Sequence, residues 1–357
     1  MNQENLITRE LPGRTLHTAE KEYLYFSGTS YLGMARNEAF TVQLLEGLKL
    51  YGTNYSSSRL SNVQLAIFAE TENYLAAFTG AEAALTLSSG FMAGQLVVRT
   101  LAGTGTFLYE PGTHPALCLE PPTATNQTFE EWVLQLPILI AGAPTENIFI
   151  LFNSLNPLRA KKHPVDWLPL LENTGKNITL IVDDSHGLGV TGPAGAGIYP
   201  ELVVPSNIRK IVISSLGKAL GIPGGVVLAD EETIKMLKKS SFFGGGSPVV
   251  PAYLYAFLKS PEIYQQARVQ LLANIQSFYS ELIKPDLFCS FPGYPVFYTP
   301  YNQLYQYLLW QDILISHFPY PTPADNPITR VILNSLHTPK DIATLAAAIN
   351  KFCAETE

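Results

Sequence analysis

The stretch Ile213-Ser214-Ser215-Leu216-Gly217-Lys218-Ala219-Leu220-Gly221 decides how the rest of the chain is read. The apolar run Ile211 to Ile213 has the composition of a buried strand. It stops at two serines, and Lys218 then stands alone among small and apolar neighbours. An ammonium in such surroundings is costly unless it is paired or its pKa falls. A lysine of lowered pKa is a nucleophile able to form a Schiff base. By itself the pattern also suits a strand-end lysine with its charge in water.

Upstream, Ile178-Thr179-Leu180-Ile181-Val182 is a second buried-strand run, ending in Asp183-Asp184-Ser185-His186-Gly187-Leu188-Gly189. One strand end carries acid and imidazole and the other an amine. That set suits the carboxyl edge of a parallel sheet, where open α/β folds bind ligands. It is also what pyridoxal 5'-phosphate needs. Lys218 would hold the aldehyde, Asp183 would keep the ring nitrogen protonated so that the ring draws electrons, and His186 would hydrogen-bond the phenolic oxygen.

Asp183–Gly189 and Ser215–Gly221 resemble the α-oxoamine synthases, pyridoxal-phosphate enzymes of the aspartate aminotransferase fold, among them 8-amino-7-oxononanoate synthase. The resemblance implies an α/β, PLP-dependent transferase fold: a mostly parallel seven-stranded sheet with flanking helices, plus a smaller α+β domain. It divides the chain into an arm and part of the small domain (1–45), a large cofactor-binding domain (46–265) and a C-terminal small domain (266–357).

Composition agrees with an enzyme of this kind. Charged residues make up 15% and hydrophobic ones 46% of the 357, which suits a well-buried chain and not a disordered one. The net charge of −7 and the lack of a basic stripe argue against nucleic acid. Cys118, Cys289 and Cys353 have no metal or redox spacing, which suggests a reduced, cytoplasmic setting. The polar N-terminus has no signal-peptide core, and no uncharged apolar run reaches membrane-spanning length.

Ala83-Ala84-Leu85-Thr86-Leu87 reads as a strand, and Ser88-Ser89-Gly90-Phe91-Met92-Ala93 turns from it into a helix. Such a turn presents free N–H groups and the positive helix end, a phosphate site. The resemblance places the cofactor phosphate at Gly90 and Phe91 and on the hydroxyl of Ser215. It places Ser247, in the loop Phe242-Phe243-Gly244-Gly245-Gly246-Ser247-Pro248, on the partner's phosphate across a homodimer. His114 takes the position of the histidine stacked on the pyridine ring, and Glu110 stands where the family has aspartate. In Thr329-Arg330-Val331-Ile332-Leu333, Arg330 takes the position that binds the substrate carboxylate, a task for a guanidinium fork. Thr29 occupies the family's substrate-holding asparagine position, and Tyr31 is a further substrate-side candidate.

Other stretches carry less. Gly187-Leu188-Gly189-Val190-Thr191-Gly192 matches a dinucleotide fingerprint, but Pro193, Gly195 and Gly197 follow where a helix should begin, so it is discounted. Asn62 is placed to cap the next helix, residues 121–146 read as loop with short elements, and Tyr301 to Ile313 reads as helix. Where the family has Ser-Met-Asp-Gly with a cofactor-touching serine, this chain has Asn156-Pro157-Leu158-Arg159-Ala160-Lys161.

The resemblance implies an acyltransferase that condenses an amino acid with an acyl-CoA thioester, with decarboxylation. An aminotransferase or aldolase of the same fold, or a non-catalytic homologue acting as a subunit, remain open alternatives. Neither the amino acid nor the acyl chain can be read from the sequence.

Overall fold

The computed structural model describes residues 6–120, 127–320, 322 and 324–355. The chain forms two compact units. One is Val42–Asn156 with Lys162–Pro261; the other is Met1–Thr41, Pro157–Lys161 and Glu262–Glu357.

In the larger unit a six-stranded sheet runs in the order Ala83–Leu87, Gly225–Ala229, Ile208–Ser215, Asn177–Asp183, Asn147–Asn153, Thr106–Tyr109. The last four are mutually parallel, and Gly225–Ala229 is antiparallel to both its neighbours. The sheet thus has six strands among the described residues, not the seven expected. Between Thr106–Tyr109 and Asn147–Asn153 the chain forms a helix, Phe129–Ala141, where the sequence reading had loop; residues 121–126 of that reading lie outside the described residues. Its missed signal is a capping box. Thr128 Oγ1 accepts from Glu131 N at 3.2 Å, and Glu131 Oε2 accepts from Thr128 N at 2.8 Å.

Register sets up the site. Asn153 lies opposite Asp183, and Asp183 opposite Ile213, so two neighbouring strands end level and the third runs two residues further, to Ser215, at their carboxyl edge. Strand residues Leu85, Ile181, Ile211 and Ile213 pack with Leu96 and Val97 of the helix Gly90–Leu101, all fully buried. Each such side chain contributes roughly 1.5–3 kcal/mol by leaving water. The helix Ala66–Thr79 begins at Leu65 without a side-chain cap, so Asn62 does not have the capping role expected of it.

The smaller unit holds a five-stranded sheet ordered Thr15–His17, Glu22–Phe26, Ile313–Pro319, Pro327–Ile332, Val296–Thr299. The expected helix Tyr301 to Ile313 is shorter, Gln303–Leu309, and Ile313 opens a strand instead. Asp312 adopts φ 58°, a left-handed conformation that helix propagation does not allow. His337 is buried and stacked 4.1 Å from Phe26. Its Nδ1 accepts from Asn334 N at 3.0 Å and its Nε2 donates to Tyr25 O at 3.0 Å. Burial pushes its pKa down to about 4, so it is a neutral packing residue. Among the described residues no helix is long and apolar enough to cross a membrane.

Candidate active site

The carboxyl ends of three parallel strands, Thr106–Tyr109, Asn177–Asp183 and Ile208–Ser215, bring His114, Asp183 and Lys218 together. Asp183 is 7% exposed, and its Oδ1 accepts from Ser185 N at 2.8 Å. Its Oδ2 lies 3.8 Å from His114 Nδ1. That Nδ1 also accepts from Ala116 N at 3.2 Å, within hydrogen-bond length. The shorter contact fixes the tautomer: the lone pair is on Nδ1 and the ring proton on Nε2. Burial lowers the pKa of His114 and Lys218 lowers it further, against the opposing charge of Asp183. The ring is therefore neutral and available as a flat, half-exposed surface.

Lys218 is partly buried beyond the strand Ile208–Ser215. Desolvation lowers its pKa, and the charges of Asp183 and Asp184 oppose this. The amine is thus shifted toward its nucleophilic form without losing its electrostatic tie to Asp183.

The glycine turn sits beside Ser215. Ser89 caps the helix Gly90–Leu101, its Oγ accepting from Met92 N at 3.1 Å, while Ala93 N donates to Ser89 O at 3.0 Å. This leaves the N–H groups of Gly90 and Phe91 as that turn's donors toward an anion. A Cβ on Gly90 would lie 2.8 Å from Ser215 Cα and Cβ, so only glycine admits this approach. Ser215 N donates to Ser185 Oγ at 2.9 Å, and Ser215 Oγ accepts from Gly217 N at 3.2 Å. A Cβ on Gly225 would run into the Ser89 carbonyl and Gly90 N. We expect Gly225→Ala to displace the turn and weaken phosphate binding at least tenfold with the sheet intact, as read by pyridoxal-phosphate titration and circular dichroism.

Residues that the sequence reading missed hold this edge in place. Asn153 Oδ1 accepts from His114 N at 3.2 Å, and its Nδ2 donates to Gly112 O at 2.7 Å. Glu110 Oε2 in turn accepts from Asn153 N at 2.7 Å and Nδ2 at 3.1 Å. Burial raises the Glu110 pKa to about 7. His163 lies 3.6 Å from Glu110 and stacks on Phe129 at 4.1 Å. Ser154, not the Asn156–Lys161 segment, puts a hydroxyl just beyond the strand Asn147–Asn153, donating to Asp184 Oδ1 at 2.6 Å. The only sequence signal was a polar Asn-Ser pair closing an apolar run.

Asp184 is structural. Burial raises its pKa to about 7, and its Oδ2 accepts from Ile198 N at 2.8 Å. Gly197, at φ 74°, leaves no room for a Cβ against that carboxyl. The apparent dinucleotide fingerprint is thus a loop folded around one buried acid.

His186 lies, partly buried, in the turn after Asp183. Ser247 is exposed, and its neighbour Gly246 comes close to Met92 of the glycine-turn helix. Ser58 Oγ donates to Gly244 O at 2.8 Å, linking the Ser58-Arg59-Leu60 corner to that same loop.

Arg330, Tyr31 and Thr29 belong to the smaller unit. Arg330 is 5% exposed, its Nη1 donates to Pro157 O at 2.8 Å, and its buried Nε has no hydrogen-bond partner. Burial pushes the Tyr31 hydroxyl up to about 12, against the pull of the Arg330 charge. Thr29 is partly buried, and its carbonyl accepts from Tyr31 N at 2.9 Å.

The model of the family "aminotransferase class I and II" matches residues 23–349. An 8-amino-7-oxononanoate synthase from Azoarcus sp. (strain BH72) is 27% identical over 355 residues, which is 93% of this chain and 88% of that protein. One from Dechloromonas aromatica is 26% identical over 367 residues, 95% of this chain and 92% of that protein. Among solved structures, a serine palmitoyltransferase from S. paucimobilis has TM-score 0.82 at 18% identity, over 98% of this chain and 92% of that one. The 8-amino-7-oxononanoate synthase of Francisella tularensis has TM-score 0.72 at 21% identity, over 94% of this chain and 98% of that one. Both show that the fold is shared.

Proposed function

The chain belongs to the aminotransferase class I and II family, and from that premise we propose that it is a pyridoxal 5'-phosphate acyltransferase. It would condense an amino acid with an acyl-CoA thioester, with decarboxylation. The observation that carries this reading is the grouping of Lys218, Asp183 and His114 beside a glycine cradle that Ser215 closes. The full-length likeness to 8-amino-7-oxononanoate synthases supports the choice of reaction.

The residues present suit the cofactor. The cleared approach at Gly90, the N–H groups of Gly90 and Phe91, and the Ser215 hydroxyl make a phosphate site; Ser247 would reach the partner's phosphate in a homodimer. Asp183 would hold the ring nitrogen, His186 the phenolic oxygen, His114 one ring face, and Lys218 the aldehyde. When bound, the cofactor supplies an electron sink for charge developing at the substrate Cα.

The protein's own residues do the rest. Arg330 holds the substrate carboxylate and, with Thr29 and Tyr31, orients the amino acid. Lys218 Nζ, its pKa lowered by burial, removes the Cα proton as a general base, a task worth about 10²–10⁴-fold in rate. Ser185 N–H, donating to Asp183 Oδ1, fixes the direction in which that carboxylate faces the ring nitrogen.

The test is a panel of glycine, alanine, serine and threonine, each with and without acyl-CoA of varied chain length. One pair should release one carbon dioxide and one CoA thiol per turnover, and neither alone. Amino transfer to a keto acid in the absence of acyl-CoA would instead make the protein an aminotransferase. No response to any amine would point to a non-catalytic subunit.

A further inference from the structure

The segment Pro157–Lys161 interrupts the larger unit's chain yet groups with the smaller one. Its base is tied off where His163 N donates to Ser154 O at 3.2 Å. Within the smaller unit two side chains bind it. Arg330 Nη1 donates to Pro157 O at 2.8 Å. Arg159 Nη1 donates to the Tyr298 hydroxyl, and its guanidinium lies 4.7 Å from the centre of that ring. Tyr298 is the cross-strand partner of Arg330, so both anchors fall on one rung of the sheet.

The chemistry of the guanidinium gives this arrangement a consequence. Its donors form an end-on edge, Nη1 with Nη2, and a side-on edge, Nε with Nη2. The Pro157 carbonyl takes Nη1, which is not part of the side-on edge. Proline's fixed φ removes one of the two backbone rotations that place that carbonyl. The side-on edge begins at Nε, which is buried and without a hydrogen-bond partner in a side chain only 5% exposed. A buried donor left unmet is costly unless a ligand is to meet it.

The geometry points to Pro157–Lys161 as a strap that aims Arg330, leaving its Nε edge to take an amino-acid carboxylate side-on. Pro157 and Arg159 are then positioning residues: neither meets the reacting atoms, and both act through Arg330. The inference rests on the reading that Arg330 binds the substrate carboxylate.

The test uses the pyridoxal-phosphate-loaded protein and compares each amino acid of the panel with its carboxamide, which keeps the amine and lacks the carboxylate. Apparent Kd is read from the visible spectrum, and cofactor Kd is read separately. Arg159→Ala removes the Tyr298 anchor and the milder Tyr298→Phe removes its hydrogen bond alone, while Pro157→Gly keeps the carbonyl and frees the backbone that carries it. The expected result is about tenfold weaker binding of the acid for Arg159→Ala and Pro157→Gly, less for Tyr298→Phe, with amide and cofactor Kd unchanged; tenfold corresponds to about 1.4 kcal/mol. Arg330→Gln should abolish the preference for acid over amide. If it does so while all three strap variants keep the preference, or weaken acid and amide alike, the strap is wrong and the role of Arg330 stands. If Arg330→Gln itself keeps the preference, the role of Arg330 fails and the strap fails with it.

Discussion

Lys218→Ala is expected to lower kcat by about 10⁴-fold or more, because in the proposed function it removes both the cofactor's covalent anchor and the base for the Cα proton. Pyridoxal phosphate should still enter the glycine cradle, since Gly90, Phe91 and Ser215 are untouched, but it should dialyse away. Added methylamine should restore part of the activity by supplying the missing amine. The lowered pKa of Lys218 adds a pH signature. Desolvation disfavours the ammonium, so the neutral amine accumulates at lower pH than in a free lysine. The rising limb of the kcat profile should therefore lie below the usual lysine range. Asp183→Asn removes an opposing charge that holds the Lys218 pKa up, so it should move that limb lower still, while also losing rate through the ring nitrogen. A full-rate Lys218→Ala enzyme would overturn the proposed function.

The second large effect is on stability. Arg59 is 8% and Glu72 6% exposed at the side chain, paired through Nη1 to Oε1 at 2.9 Å and Nη2 to Oε2 at 3.2 Å. Glu72 Oε1 also accepts from Thr86 N and Thr86 Oγ1, both at 2.9 Å, tying the helix Ala66–Thr79 to the strand Ala83–Leu87. The Arg59 guanidinium lies 4.2 Å from the Phe68 ring centre. Glu72→Ala leaves the buried Arg59 without its carboxylate, with a 3.3 Å bond from Nη1 to Thr86 Oγ1 remaining, and takes the acceptor from Thr86 N and Oγ1. We expect it to cost about 3–5 kcal/mol in denaturant unfolding. The double variant Arg59→Met with Glu72→Leu should cost less than the sum of its single changes, because it no longer buries an uncompensated charge. Additive costs would show that the two side chains act independently.

Phe68 has a role that only the structure shows. Its ring is fully buried, facing Arg59 and edge-on to Tyr55 at 5.6 Å. Its role here is to hold the arginine corner. Asn153 and Ser154 went unread for a related reason. Each looks like an ordinary polar residue at a strand end, and each has its role only because a neighbouring strand brings its partner alongside.

The sequence by itself determined the strands that end in Asp183 and Ser215 and the glycine turn at Gly90. Apolar runs ending in small and titratable residues are local patterns, and burial enforces them wherever the strand lies. The tertiary structure alone decided which partners those residues meet. Strand register set Asn153 beside Asp183, a capping box turned an expected loop into helix, and packing carried Pro157–Lys161 into the smaller unit. Each of these joins residues far apart along the chain or depends on side-chain geometry, and neither periodicity nor composition records that.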